Sequence, residues 1–128
     1  MGAVPGSELY SVDVDNTAAA GKAVQHLLDL GHQRVACITN APSPYSSSAQ
    51  RLDGYRAALT KAGIAYDEAL VRFADFDVAS GYEQMRDLLT SGQQFSAAFI
   101  ASDNVAFGAL RAIQEAGVRI PEDISLVG

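Results

Sequence analysis

Three short polar segments follow apolar runs in this chain, and they contain the side chains best suited to bind a ligand. An aromatic face can stack on a ligand ring, and guanidinium, carboxylate and amide groups can form paired hydrogen bonds with it. This chemistry predicts a site for a neutral polar ligand. The segments are residues 40–48 with the nearby Arg51, then Asp75, Phe76 and Asp77, then Ser102, Asp103 and Asn104.

Catalysis is not indicated by these residues. His26 and His32 lie in or just after the first predicted helix, toward the opposite edge of the fold, so no serine has an evident general base. A metal site needs a cluster of histidine, cysteine and carboxylate ligands, and the sequence shows none. It shows no glycine-rich phosphate loop either. We therefore predict a protein that is not an enzyme and has no metal or cofactor.

Each candidate residue also has a structural alternative. Arg51 could form a surface ion pair, Phe76 could cover the core, and Asp103 could cap the helix that follows it. The serines at 46–48 could be loop and N-cap residues, and residues 15–16 could end a strand and start a helix. Spacing alone leaves both interpretations open for every one of them.

Strand-like and helical segments alternate along the chain. Continuous apolar runs are typical of strands buried on both faces, and apolar residues at helical spacing before a glycine predict helices that end there. The predicted strands cover residues 10–14, 34–39, 70–74, 97–101 and 124–127. The predicted helices cover residues 16 or 17 to 30, 49–62, 80 to about 92, and 104–116. Ser80 is the predicted N-cap of the third helix. In the fourth helix, Phe107, Leu110 and Ile113 are expected to point inward.

This alternation predicts an α/β fold. Right-handed helical crossovers between strands produce a parallel sheet, so we expect a three-layer α/β/α sandwich with flavodoxin-like strand order. The carboxyl ends of parallel strands share one edge, where ligands bind in such sheets. The three polar segments are all expected at that edge.

Composition excludes several other classes of function. The net charge is −6 and the nine basic residues are scattered, so we do not expect this chain to bind nucleic acid directly. No apolar stretch approaches the ~20 residues of a membrane helix, and no signal peptide is evident. The single cysteine, Cys37, lies in an apolar run and rules out an internal disulfide. We expect a cytoplasmic protein.

Five segments resemble one protein family, the Lac/Gal repressors. They are VDVDN (12–16), HLLDLGHQRVA (26–36), SAQRLDGYRAAL (48–59), ASDNVAFGAL (101–110) and, most specific of all, VRIPEDISLVG (118–128). The resemblance implies a bacterial transcription regulator with a helix-turn-helix headpiece and a two-lobed effector domain like periplasmic sugar-binding proteins. We expect a leader over residues 1–9 and a truncated C-terminal lobe over 10–128, without headpiece or N-terminal lobe.

The resemblance also implies partners for the protein and roles for individual residues. The partners it implies are a small-molecule effector, such as a sugar, nucleoside or purine, a second copy of the chain, and DNA only through the absent headpiece. A lobe of a periplasmic-type sugar-binding protein serving transport is the alternative, and a small α/β enzyme is a third hypothesis.

The implied ligand-binding residues are Arg51 as a clamp, Ser47 as a loop contact, Phe76 as a stacking ring, Ser102 (often asparagine in the family) and Asp103 as a polar pair, and Asp15 and Asn16 near the lobe crossover.

Overall fold

The computed structural model describes residues 16–42 and 46–127. The leader predicted over residues 1–9 and the strand predicted over 10–14 lie outside the described residues. Within them, helices and strands alternate as predicted. The elements in chain order are α1 (Asn16–Asp29), β1 (Val35–Thr39), α2 (Ser46–Lys61), a 3₁₀ helix (Glu68–Leu70), β2 (Val71–Phe73), α3 (Val78–Thr90), β3 (Ala97–Ile100), α4 (Asp103–Glu115) and β4 (Ser125–Val127).

The described strands form one parallel sheet in the order β2-β1-β3-β4. Cys37 of β1 is in register with Val71 of β2 and with Phe99 of β3, and Phe99 pairs in turn with Val127 of β4. The predicted flavodoxin-like order is therefore confirmed. The chain passes from β1 to β2 on one side and then returns past β1 to β3 on the other. The topological switch point therefore lies between β1 and β3, where ligands bind in this class of sheet.

Helices cover both faces of the sheet. Val35 and Cys37 of β1 pack against the side of α1 and α2, whereas Ala36 and Ile38 pack against the side of α3 and α4. All five residues of β1 are buried, because a strand covered on both faces has no solvent side. This arrangement confirms the three-layer sandwich and explains why the β1 sequence is a continuous apolar run.

Glycines bring the two helices of each layer into backbone contact. A Cβ atom on Gly108 of α4 would overlap the carbonyl oxygen of Val78 in α3. Gly54 of α2 approaches the carbonyl oxygen of Thr17 in α1 in the same way. Side chains at these crossings would push the helices apart, so each crossing needs a residue without a Cβ atom.

The predicted orientation of α4 is wrong in one respect. Phe107, expected to point inward, is 61% exposed, whereas Ile113 is fully buried as expected. The glycine contact explains the difference: Gly108 must face α3, and its neighbour Phe107 is thereby turned outward. The buried positions of α4 are Val105, Gly108, Ala109, Ala112 and Ile113.

A candidate ligand-binding edge

Polar residues from neighbouring strands meet at the carboxyl edge of the sheet. The carbonyl oxygen of Thr39, at the end of β1, accepts a hydrogen bond from the Ala74 N–H just after β2 (3.0 Å). On the other side of β1, the carbonyl oxygen of Ile38 accepts one from the Ala101 N–H just after β3 (3.0 Å). The segments that follow these three strands therefore start side by side, with the β1 segment in the middle.

Asn40 connects two of the predicted site residues. Its side-chain Oδ1 accepts a hydrogen bond from Nη1 of Arg51 (2.8 Å), and its backbone carbonyl oxygen accepts one from the N–H of Phe76 (2.8 Å). The structure thus brings Arg51 of α2 and Phe76 after β2 into contact with one residue. Asn40 begins the predicted segment 40–48, but it was not among the residues with an individually predicted role.

Arg51 is held by a neutral partner. Burial lowers the pKa of its guanidinium, but an arginine side chain stays protonated at neutral pH. Among the described residues it forms no ion pair, so the predicted alternative of a surface salt bridge has no support there. Within residues 16–42 and 46–127, no carboxylate neutralises its charge.

Phe76 adopts a backbone conformation that its residue type avoids. Its φ is 68°, in the left-handed region, where a non-glycine residue is strained. The side chain is 47% exposed and belongs to neither core cluster, so the alternative that it covers the core is wrong. Strain of this kind is held by the surrounding structure and occurs at functional sites.

The turn around Phe76 is fixed by its two flanking aspartates and Ser80. Asp77 is the N-cap of α3, accepting the Ser80 N–H at 2.8 Å, so the predicted cap at Ser80 is wrong by three residues. The Ser80 hydroxyl accepts the Asp75 N–H (2.8 Å) and donates to the Asp77 carbonyl oxygen (2.9 Å). The backbone N–H of Ser80 lowers the pKa of the Asp77 carboxyl. Both sides of Phe76 are thereby tied to the first turn of α3.

Ser102 and Asp103 form the third corner. Ser102 is the N-cap of α4, and its Oγ accepts the Val105 N–H (3.3 Å). The alternative cap role considered for Asp103 therefore belongs to Ser102. Asp103 is exposed in the first turn of α4, where a carboxylate is favourable near the positive end of the helix. Neither side chain hydrogen-bonds to Arg51. This corner therefore lies next to the Arg51–Asn40–Phe76 group, but Arg51 does not connect the two.

Three other predicted site residues are not tested by the described geometry. Asp15 lies outside the described residues. Asn16 begins α1 and Ser47 lies in the first turn of α2, but the description does not extend to their side chains. Their roles, like the ligand-binding roles of the other four residues, remain predictions.

A histidine and a serine do meet, but at the opposite edge of the sheet. His32 Nδ1 lies 2.8 Å from Ser96 Oγ, a contact that was not evident when the sequence was taken to leave every serine without a general base. The contact joins the segment entering β1 to the one entering β3, and no hydrogen bond links a carboxylate to His32 in the described part of the chain. Over the same ranges, no group of three histidine, cysteine or carboxylate residues could hold a metal ion, and no helix is long and apolar enough to cross a membrane.

The fold and this edge place the chain in a known class. Residues 24–128 match the model of the periplasmic binding protein-like domain, and the chain belongs to that family. Its relatives are transcription regulators. It is 42% identical to the HTH-type transcriptional regulator CelR of Thermobifida fusca over 98% of this chain, and 39% identical to the HTH-type transcriptional regulator AscG of Escherichia coli over 93%. The chain spans only 36% and 35% of the length of these relatives.

Solved structures agree with this assignment. A CelR–cellobiose complex superposes with a TM-score of 0.85 at 42% identity, over 90% of this chain and 35% of that one. A LacI-family regulator from Enterococcus faecium with bound ribose gives a TM-score of 0.80 at 33% identity, over 90% and 42%. A LacI-family sugar-binding regulator from Escherichia coli, complexed with phosphate, gives 0.84 at 37% identity, over 89% and 41%. The resemblance to LacI-type regulators seen in the sequence is confirmed.

Proposed function

We propose that this chain, over residues 10–128, is the C-terminal lobe of the effector domain of a LacI-type transcription regulator. The carboxyl edge of its sheet binds a small-molecule effector. The observation that carries the proposal is the Asn40-centred contact between Arg51 and Phe76, which lies at the edge where such sheets bind ligands. The regulators to which the chain is similar support it.

The effector is a sugar, nucleoside or purine. Arg51 presents a charged, multiple-donor group that suits hydroxyl or carboxylate oxygens, and the half-exposed ring of Phe76 offers an apolar face to a pyranose or a base. Two structural neighbours hold cellobiose and ribose, which supports a sugar among these three classes of effector. Ser102 and Asp103 supply further polar groups on the neighbouring corner, and Ser47, Asp15 and Asn16 complete the proposed set.

Signalling follows from differential binding. An effector that contacts this lobe and a second lobe favours a closed arrangement of the two, and that preference biases distant DNA-binding units. DNA contact belongs to a headpiece outside this chain, which suits the net charge of −6 here. A regulator acting on DNA works in the bacterial cytoplasm. Transport is the weaker alternative, because the relatives are transcription regulators.

A second copy of the chain is the proposed protein partner. Phe107 is 61% and Val78 42% exposed, and the close contact of Gly108 with the Val78 carbonyl places both residues at the same α3–α4 crossing. Exposed apolar groups that adjoin one another on a monomer mark interaction surfaces. We propose that this outer face pairs two copies in a homodimer.

Titration of the ¹⁵N-labelled chain with cellobiose, ribose and adenosine tests the effector proposal. One lobe offers only part of the ligand's contacts, and each missing hydrogen bond costs about 1 kcal/mol, so we expect a Kd in the millimolar range, on the order of 1 mM or weaker. Amide shifts should concentrate after β1, β2 and β3. Saturable shifts confined to the opposite edge, around His32 and Ser96, would contradict the proposal, as would an absence of shifts with all three ligands at 100-fold molar excess.

A further inference from the structure

We infer that Asn40 is a positioning residue that holds the Arg51 guanidinium in a fixed place relative to the Phe76 ring. Its side chain accepts from Arg51 Nη1 and its backbone carbonyl accepts from the Phe76 N–H, each at 2.8 Å. One residue therefore sets the geometry of two groups that come from different elements. The inference rests on the proposed function in so far as these two groups bind the effector.

The position of Asn40 makes it suitable for this role. It directly follows Thr39, the last residue of the central strand β1, and that strand is fully buried and paired on both sides. Asn40 itself is half-buried. A residue attached to the most rigid part of the sheet restrains a long arginine side chain more effectively than a loop residue can, and a restrained side chain loses less entropy on binding a ligand.

The amide is also the chemically appropriate partner. Asparagine accepts a hydrogen bond from Arg51 without neutralising its positive charge, whereas an aspartate at this position would form an ion pair and compete with ligand oxygens. The contact uses one N–H of Nη1. In the part of the chain that the structure describes, no other hydrogen bond is formed by the Arg51 guanidinium, so its remaining N–H groups can point to a ligand.

NMR of the ¹⁵N-labelled chain tests the inference without any ligand. The Arg51 Nε–Hε resonance, assigned by its loss in Arg51→Lys, should be dispersed and dynamically restrained in the wild type. It should move to the averaged arginine position in Asn40→Ala and in Asn40→Ser, whose hydroxyl is too short to reach Nη1. Asn40→Asp keeps an acceptor and should keep the restraint. Gln114→Ala, an exposed amide at the far end of α4, is the matched control.

Binding of cellobiose to the same variants gives the second measurement. We expect Asn40→Ala to weaken it about tenfold, with the thermal midpoint of unfolding changed by no more than in Gln114→Ala. An Arg51 resonance that is equally restrained in Asn40→Ala and in the wild type overturns the inference. If the wild type binds cellobiose, an equal Kd for Asn40→Ala overturns it too. If no tested sugar binds the wild type but the restraint is lost in Asn40→Ala, the positioning role stands and the effector proposal fails.

Discussion

The backbone N–H of Phe76 donates a 2.8 Å hydrogen bond to the carbonyl oxygen of Asn40, and this bond holds Phe76 at a φ of 68°. A phenylalanine in the left-handed region costs about 1–2 kcal/mol relative to an ordinary backbone conformation. The half-exposed ring recovers little of this cost through burial, because it is packed in neither core cluster. The proposed stacking role would account for a strained phenylalanine at this position.

Replacing Phe76 separates strain from binding. We expect Phe76→Gly to be more stable to urea than Phe76→Ala by about 1 kcal/mol, because glycine adopts positive φ without a Cβ clash. Both variants should lose sugar binding to the same extent, since neither has a ring. Urea unfolding followed by circular dichroism gives the first quantity and NMR titration the second. Equal stability of the two variants would show that the backbone at this position is not strained.

Arg51 is expected to contribute most of the polar part of ligand binding. A hydrogen bond to a charged group contributes about 1.5–3 kcal/mol, so Arg51→Ala should weaken cellobiose binding at least tenfold. Arg51→Lys keeps the charge but not the planar fork, and should bind more weakly than the wild type. Lys22→Ala removes an exposed cation from α1 and is the control. A Kd that rises equally in Lys22→Ala would assign the effect to net charge and not to this site.

Much of the fold could be predicted from the sequence because a strand buried on both faces requires apolar residues at successive positions. The run from Val35 to Ile38 is apolar throughout, since both faces of β1 are covered, and that pattern identified a buried strand. The direction of Phe107 could not be predicted in this way. The spacing of apolar residues predicts which side of a helix is buried. In α4, however, the small size of Gly108 at the crossing with α3 decides which side faces inward.

The site was predictable in outline but not in its connections. The alternation of elements predicts a parallel sheet, and parallel strands place Arg51 and Phe76 at one edge. The contact through Asn40 depends on the path of the chain between β1 and α2 and on the φ of Phe76, and neither leaves a periodic signal in the sequence. The cap of α3 was misplaced because Asp77 and Ser80 are both good N-cap residues, and spacing alone does not choose between them.

The glycine crossings give a matched pair of stability variants. A Cβ on Gly108 would overlap a backbone carbonyl oxygen, whereas a Cβ on Gly21 of α1 would lie 3.7 Å from the Gly54 oxygen, an ordinary contact. Gly108→Ala should therefore destabilise the chain by about 2 kcal/mol or more, because α3 and α4 must separate. Gly21→Ala should be neutral or stabilise by up to about 1 kcal/mol through helix propensity. Urea unfolding measures both, and a similar change in the two variants would contradict the crossing geometry.

Protonation of Asp77 should weaken the start of α3 at low pH. The folded pKa of this carboxyl is lowered below its ordinary value of 3.8, chiefly by the backbone N–H of Ser80. Its charge therefore stabilises the folded chain fully above that ordinary value, and the contribution is lost as pH falls through the lower folded pKa. Asp77→Asn keeps a capping oxygen without the charge. The stability difference between wild type and this variant should be constant between pH 6 and 8 and shrink toward pH 3 in urea unfolding series.

The proposed dimer face leads to a prediction about self-association. Phe107 is 61% exposed beside the α3–α4 crossing, and Leu30, directly after α1 on the other layer, is 63% exposed. Phe107→Glu places a charge in the proposed interface, where its desolvation is unfavourable, and should shift the chain from dimer to monomer. Leu30→Glu adds the same charge elsewhere and should leave the dimer unchanged. Sedimentation equilibrium at several concentrations measures both. A wild type that stays monomeric up to 1 mM, or a dimer disrupted only by Leu30→Glu, would remove the α3–α4 face from consideration.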